Sequence, residues 1–225
     1  MDEPQINQAV GGSPLGPIEP AVMGIISAIP VPQLKIWAAA YFRPAETFDS
    51  QRASICSNKL GVELAMMSLI PFIVAFLAML AALQQSPNIL LAFAVLLVVS
   101  VLSFVLGFVI VSVLLFILAK ILGGKATFYE HSYALALVAG GYYVMAFPFY
   151  LLNLIPLVGG IFGFAILLIG LYDIYNFFVM MRHAHQLSSA RAAVLVAVPI
   201  VIMGALMGAA ILAMIGLAAA AKGTV

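Results

Sequence analysis

Five apolar runs, each long enough to cross a bilayer as a helix, dominate this 225-residue chain: Leu60–Leu83, Asn88–Ala119, Tyr133–Leu154, Gly160–Met181 and Ala192–Ala221. A spanning helix needs about 20 apolar residues, and inside hydrocarbon its backbone polar groups must be satisfied within the segment itself. The runs therefore predict an all-α fold: a polytopic transmembrane helix bundle of five spans. Composition points the same way, since 65% of the residues are hydrophobic and 8% are charged, more apolar matter than a water-facing domain can bury. The run Asn88–Ala119 would make about 48 Å of helix, so it must tilt, kink near Gly107, protrude or divide into two short spans.

The placement of cations decides between these. Lys35, Arg43, Arg52 and Lys59 precede the first run, Lys120 and Lys125 lie in the second connection, and Arg182 and Arg191 lie in the fourth. The first and third connections carry no Lys or Arg. With five spans and a cytosolic amino terminus all of these cations face inward, and Lys222 alone faces out. Dividing the second run would move Lys120 and Lys125 outside and invert everything after them. The expected location is the cell inner (cytoplasmic) membrane, with Cys56 and the Lys125 loop cytosolic and with Ser86, Val158 and the carboxyl terminus outside. Cys56 is the single cysteine, so no internal disulfide can form. A net charge of +1 gives no reason to expect nucleic acid as a partner.

Residues 1–32 read as a disordered or membrane-surface tail. Met1–Pro20 is rich in Pro, Gly, Asn and Gln and has no Lys or Arg, so a cleaved signal peptide is not expected. Ala21–Val31 is apolar but reaches only about 16 Å as helix, too short to span. Residues 33–59 read as interfacial amphipathic helices. Leu34, Trp37, Ala38 and Tyr41 recur at i, i+3, i+4 and i+7, with Lys35 off the stripe, a pattern suited to the headgroup plane. Trp37, Tyr41, Lys35 and Arg43 are its expected anchors. Pro44 is suited to open a second helix, Glu46 and Asp49 favour its amino-terminal dipole, and Phe48, Arg52 and Ile55 share a face. Residues 60–221 form the transmembrane domain, in which Pro71, Pro148 and Pro199 imply local kinks. Gly159 with Gly163, and Gly204 with Gly208, let helix backbones approach closely, either within the bundle or at the face of a homodimer.

One acid lies deep in a span. Asp173 is nine residues, about 13 Å of helix, from Arg182 at the end of its run. An ionised carboxylate at that depth costs about 3 kcal/mol or more without partners. Asn176 shares its helix face, Tyr172 and Tyr175 flank it, and Tyr142 or Tyr143 on the third run could supply a hydroxyl. Two readings follow: a hydrogen-bonded node that orients helices, which the absence of a second charge at that depth favours, or a proton or cation pathway. Glu63 sits four residues after Lys59, the spacing of an i,i+4 surface pair. His131, His183, His185 and Glu130 fall in two connections on one side, but His183 and His185 are two apart and do not share a helical face, so no metal is expected. The chain carries no His-Glu-x-x-His pair and no Gly-x-Ser-x-Gly elbow, and Gly123-Gly124-Lys125 lacks the flanking residues of a phosphate loop. Ser100, Ser103 and Ser112 have no histidine at their depth. Neither catalysis nor a cofactor is expected.

Tyr41-Phe-Arg-Pro-Ala-Glu-Thr-Phe48, Ile121-Leu-Gly-Gly-Lys-Ala-Thr-Phe128, the Ala-rich third run closing on Pro148, and Arg182-His-Ala-His-Gln-Leu-Ser-Ser-Ala-Arg191 resemble, in order and spacing, the Yip (Ypt-interacting protein) family domain. The resemblance covers about Tyr41 to Leu212. It implies five spans and a cytosolic amino terminus, in agreement with the charge count. Eukaryotic relatives are linked to prenylated Rab-type small GTPases and vesicle traffic. This chain lacks their Asp-Leu-Tyr-Gly-Pro stretch and looks more like bacterial or archaeal members, for which the resemblance implies no small GTPase partner. The expected function is a non-enzymatic membrane organiser or scaffold whose partners are the lipid bilayer and, through the glycine faces, a second copy or other membrane proteins. The alternative is a small channel or transporter that uses Asp173.

Overall fold

The computed structural model describes residues 19–82, 89–153, 155 and 159–222. The expected disorder of the first residues, and the positions of Ser86 and Val158, lie outside that set. Among the described residues eight helices follow in order: α1 (Glu19–Ser27), α2 (Pro32–Phe42), α3 (Pro44–Arg52), α4 (Ser57–Ala82), α5 (Ile89–Ile121), α6 (Phe128–Asn153), α7 (Gly159–His185) and α8 (Ser189–Lys222). No strand occurs among the described residues. The chain is thus an all-helical bundle in which α4 to α8 realise the five apolar runs.

Three stretches are long and apolar enough to cross a membrane among the described residues: Ala94–Ile121, Phe128–Asn153 and Gly159–His185. Residues 89–121 form one unbroken helix, so the longest run is not two short spans joined by a turn. α6 begins earlier than hydropathy suggests because Thr127 and Glu130 build a capping box. The Glu130 carboxylate accepts from the Thr127 N–H at 2.8 Å, and the Thr127 hydroxyl accepts from the Glu130 N–H at 3.2 Å.

The core is gathered at one end of the bundle. Trp37, Phe48, Met67, Ala119, Tyr133, Leu137, Met180, Met181, Ala184 and Leu195 form its cluster. These residues come from the α2–α3 segment, the carboxyl-terminal ends of α5 and α7, and the amino-terminal ends of α4, α6 and α8. Toward the other end, α7 leaves Ile161, Phe164, Leu167 and Leu171 exposed, and α5 leaves Leu102, Leu106, Ile110 and Leu114 exposed along its length. Apolar side chains in that state suit lipid rather than water.

The largest departure from expectation is α2. The stripe Trp37, Ala38 and Tyr41 does lie on one face, but Trp37 is 0% and Tyr41 5% exposed, covered by protein rather than open to headgroups. α2 lies against α6, and the close approach rests on Gly140 and Gly141. A Cβ at Gly140 would meet three Trp37 ring atoms at 2.7 Å, and one at Gly141 would meet the Trp37 carbonyl at 3.0 Å. The two glycines form a flat on α6 that takes the indole. Pro44 opens α3 as expected, and α3 packs Phe48 into the core beneath Arg52, whose guanidinium lies 5.8 Å from the ring centroid. The segment 19–27, expected as part of a tail, is helix α1, tied to the rest by an ion pair between Glu19 and Arg43.

Candidate functional site

The polar side chains concentrate around α2. At its amino-terminal half, Trp37 Nε1 and Gln33 Nε2 each donate to the Glu63 carboxylate at 2.5 Å. Glu63 is fully buried on α4, and the buried Tyr133 hydroxyl interacts with the same carboxylate. Glu63 is therefore not half of a surface pair. Lys59 turns instead to Gln51 Oε1 and Ser54 Oγ, both at 2.6 Å. The reason is geometric: Glu63 faces inward, to the Gln33 and Trp37 side chains of α2, rather than to the solvent that an i,i+4 surface pair would have needed.

At its carboxyl-terminal half, α2 meets α7. The last carbonyls of a helix have no intrahelical partner. Asn176 supplies the missing donor, its Nδ2 reaching the Tyr41 carbonyl at 2.8 Å. The Tyr41 hydroxyl donates to the Ile169 carbonyl at 3.1 Å, and its ring lies 5.0 Å from that of Tyr172. Burial, reinforced by the nearby Asp173 carboxylate, pushes the Tyr41 phenol above its usual range, so it stays neutral and can donate.

Asn176 and Tyr172 thus meet Tyr41, and Asp173 lies near enough to act on its phenol. Three of their oxygens are buried and make no hydrogen bond within the described residues: Asp173 Oδ1, Asn176 Oδ1 and the Tyr172 hydroxyl. Tyr142 lies across from α7, its ring 3.9 Å from where a Gly170 Cβ would sit, but its hydroxyl pairs with Tyr150 at 2.7 Å rather than with Asp173. Tyr175 is 45% exposed and stands on the rim. Of the expected anchors, Trp37 and Tyr41 are interior, Arg43 pairs with Glu19 and Glu46, and Lys35 is half-buried.

A second polar cluster lies where the loops meet. His131 Nδ1 and His185 Nε2 are 2.8 Å apart, both rings buried, joining the start of α6 to the end of α7. α5 ends with Gly123 in a left-handed conformation (φ 87°), the Gly124 N–H returning to Ala119 at 2.8 Å. The next residue, Lys125, donates its N–H to the His185 carbonyl at 3.0 Å. Gly124 has no room for a side chain, since a Cβ there would lie 2.5 Å from His185 Nδ1. His183 bonds Asp49 at 2.8 Å, and Arg52 bonds Glu130 at 2.8 Å. No group of three or more metal-ligating side chains occurs among the described residues.

The glycine pairs divide. Gly159 and Gly163 abut Asn153, at 2.7 and 3.5 Å from the would-be Cβ atoms, inside the α6–α7 turn. Gly204 and Gly208 have nothing within 4 Å and face outward. Adjacent glycines in the third run were the available signal for the Trp37 seat. The Glu63 and His131–His185 pairings left none, since their partners are 26 and 54 residues away.

A family model described as the Yip1 domain matches residues 38–218, which takes in the carboxyl-terminal part of α2, all of α3 to α7 and most of α8. No curated protein and no solved structure matches the chain.

Proposed function

The chain belongs to the Yip1 domain family of membrane proteins, and from that premise we propose that it is a non-enzymatic membrane organiser with five spans. α4 and α8, at 26 and 34 residues, join α5, α6 and α7 as spans. Each exceeds the roughly 30 Å of a hydrocarbon core. The cation count supports a cytosolic amino terminus, an outside carboxyl terminus and residence in the cell inner membrane. In that orientation the packed core and the α2 clamp sit on the cytosolic side, and the exposed apolar lengths of α5 and α7 lie in lipid.

The observation that carries the organiser reading is the fate of the polar groups on α2. Trp37, Gln33 and Tyr41 all close on neighbouring helices through Glu63, Asn176 and Ile169, joining helix to helix. The outward Gly204 and Gly208 suit lipid or a second copy of this chain. A transporter reading draws on Asp173, whose Oδ1 makes no hydrogen bond within the described residues. Ion flux in proteoliposomes separates the two. The organiser reading expects no flux above empty vesicles, and ion or proton flux that disappears in Asp173→Asn would overturn it.

A further inference from the structure

We propose that the turn after α5, together with the start of α8, forms a headgroup site for an anionic phospholipid, with Arg191 and Lys120 as its cations. Gly123 at that turn has a left-handed backbone (φ 87°) and no side chain, and Arg191 lies against it: a Cβ there would be 3.1 Å from the guanidinium Nη1. Lys120 reaches over the same turn, its Nζ donating to the Gly124 carbonyl at 3.2 Å. Lys125 follows in the chain, and all three cations are exposed. Among the described residues none of them has a carboxylate partner. Glu130, the acid at the start of α6, is taken by Arg52 and Thr127. The N–H groups of Gly123, Gly124 and Lys125 donate to the Lys120, Ala119 and His185 carbonyls, which fixes the turn and leaves an anion to the side chains. A guanidinium grips phosphate oxygens in pairs, and an ammonium adds a point charge beside it.

The surroundings point to a lipid rather than to free phosphate. Lys120 is one residue from the end of the apolar stretch Ala94–Ile121. Beside it α5 exposes Leu114, Ile117 and Ile121, which recur at i, i+3 and i+7 on one helical face. α8 runs on from Arg191 through exposed Val194 and Val201, within one arc of its own surface. Unpaired cations at the end of exposed apolar helix faces match a negative headgroup above its acyl chains. A zwitterionic headgroup brings its own ammonium and gains less. This stands on residence in a membrane and not on the organiser reading.

The test is the thermal midpoint of the full chain in detergent, followed against added phosphatidylglycerol or phosphatidylcholine of the same acyl chains at constant ionic strength. A ligand that binds only the folded state raises the midpoint with its concentration. A saturable rise with phosphatidylglycerol but not with phosphatidylcholine is expected. Arg191→Gln should move half-saturation to about fivefold more lipid. Arg43→Gln removes the same charge from a cation already paired with Glu19 and Glu46, and should leave half-saturation in place. Lys120→Gln carries the same expectation as Arg191→Gln and serves if that variant does not fold. Overlaid curves for the two lipids overturn the proposal, as does a half-saturation that Arg191→Gln leaves unmoved or shifts no more than Arg43→Gln. Inorganic phosphate alone producing the same saturable rise would also overturn it, in favour of a site for the free anion.

Discussion

Trp37 Nε1 donates to Glu63 Oε2 at 2.5 Å, joining a short amino-terminal helix to the first long one across 26 residues of chain. Both side chains are fully buried: the indole N–H has Glu63 as its polar partner, and the carboxylate is shared among Trp37, Gln33 and Tyr133. Glu63→Leu should lower stability by about 1–3 kcal/mol, because it strands the Trp37 and Gln33 donors. Glu63→Gln, which keeps one acceptor, should cost less. Thermal unfolding in detergent ranks them, and equal loss in both would mean the hydrogen bonds contribute little.

Gly140 and Gly204 are both glycines inside long apolar helices, and they should respond in opposite ways. Alanine at Gly140 drives a Cβ to 2.7 Å from the Trp37 ring and should cost about 1–3 kcal/mol. Alanine at Gly204 meets nothing within 4 Å and should be neutral or stabilising by up to about 1 kcal/mol. Midpoints for the two variants check this, and a reversed order contradicts the packing described.

At the loop latch, Gly124→Ala places its Cβ 2.5 Å from His185 Nδ1 and 2.8 Å from the Ala119 carbonyl. The midpoint should fall, and His185→Ala in the same chain should recover part of the loss but not all, since the backbone contact persists. Strict additivity of the two substitutions would show that the close approach is not what the glycine serves.

Much of this architecture was legible because hydrocarbon permits few solutions. The run Asn88–Ala119 became α5 within two residues at either end, and Gly160–Met181 became most of α7. The α2 stripe was equally visible, but periodicity states which face is apolar and not what covers it. A headgroup plane and the Gly140–Gly141 flat of α6 ask for the same Trp37 and Tyr41 spacing. Asp173 and Asn176 lie three residues apart on the unbroken α7, yet the partner of the Asn176 amide is a carbonyl 135 residues away, which no local spacing encodes.

The five-span orientation is open to labelling. Cys56 is exposed, and so is Ile155 in the connection between α6 and α7. Cys56 should react with an impermeant thiol reagent only from the cytosolic side, and Ile155→Cys in a Cys56→Ser background only from outside. Reaction of both from one side would rule out this arrangement.

The claim on which the rest depends is that α2 lies inside the bundle, against α6 and α7. A Cβ at Gly141 would lie 3.1 Å from the Tyr41 Cβ, a few tenths of an ångström short of the roughly 3.5–4.5 Å that a disulfide uses. The most direct measurement is oxidation of Tyr41→Cys/Gly141→Cys in a Cys56→Ser background, in native membranes, with the cross-link read by mass spectrometry of the digested chain. The docked helix predicts a disulfide between positions 41 and 141 under mild oxidant. Two thiols that both remain free to alkylate, in a chain that still folds, would put α2 on the membrane surface and contradict the account.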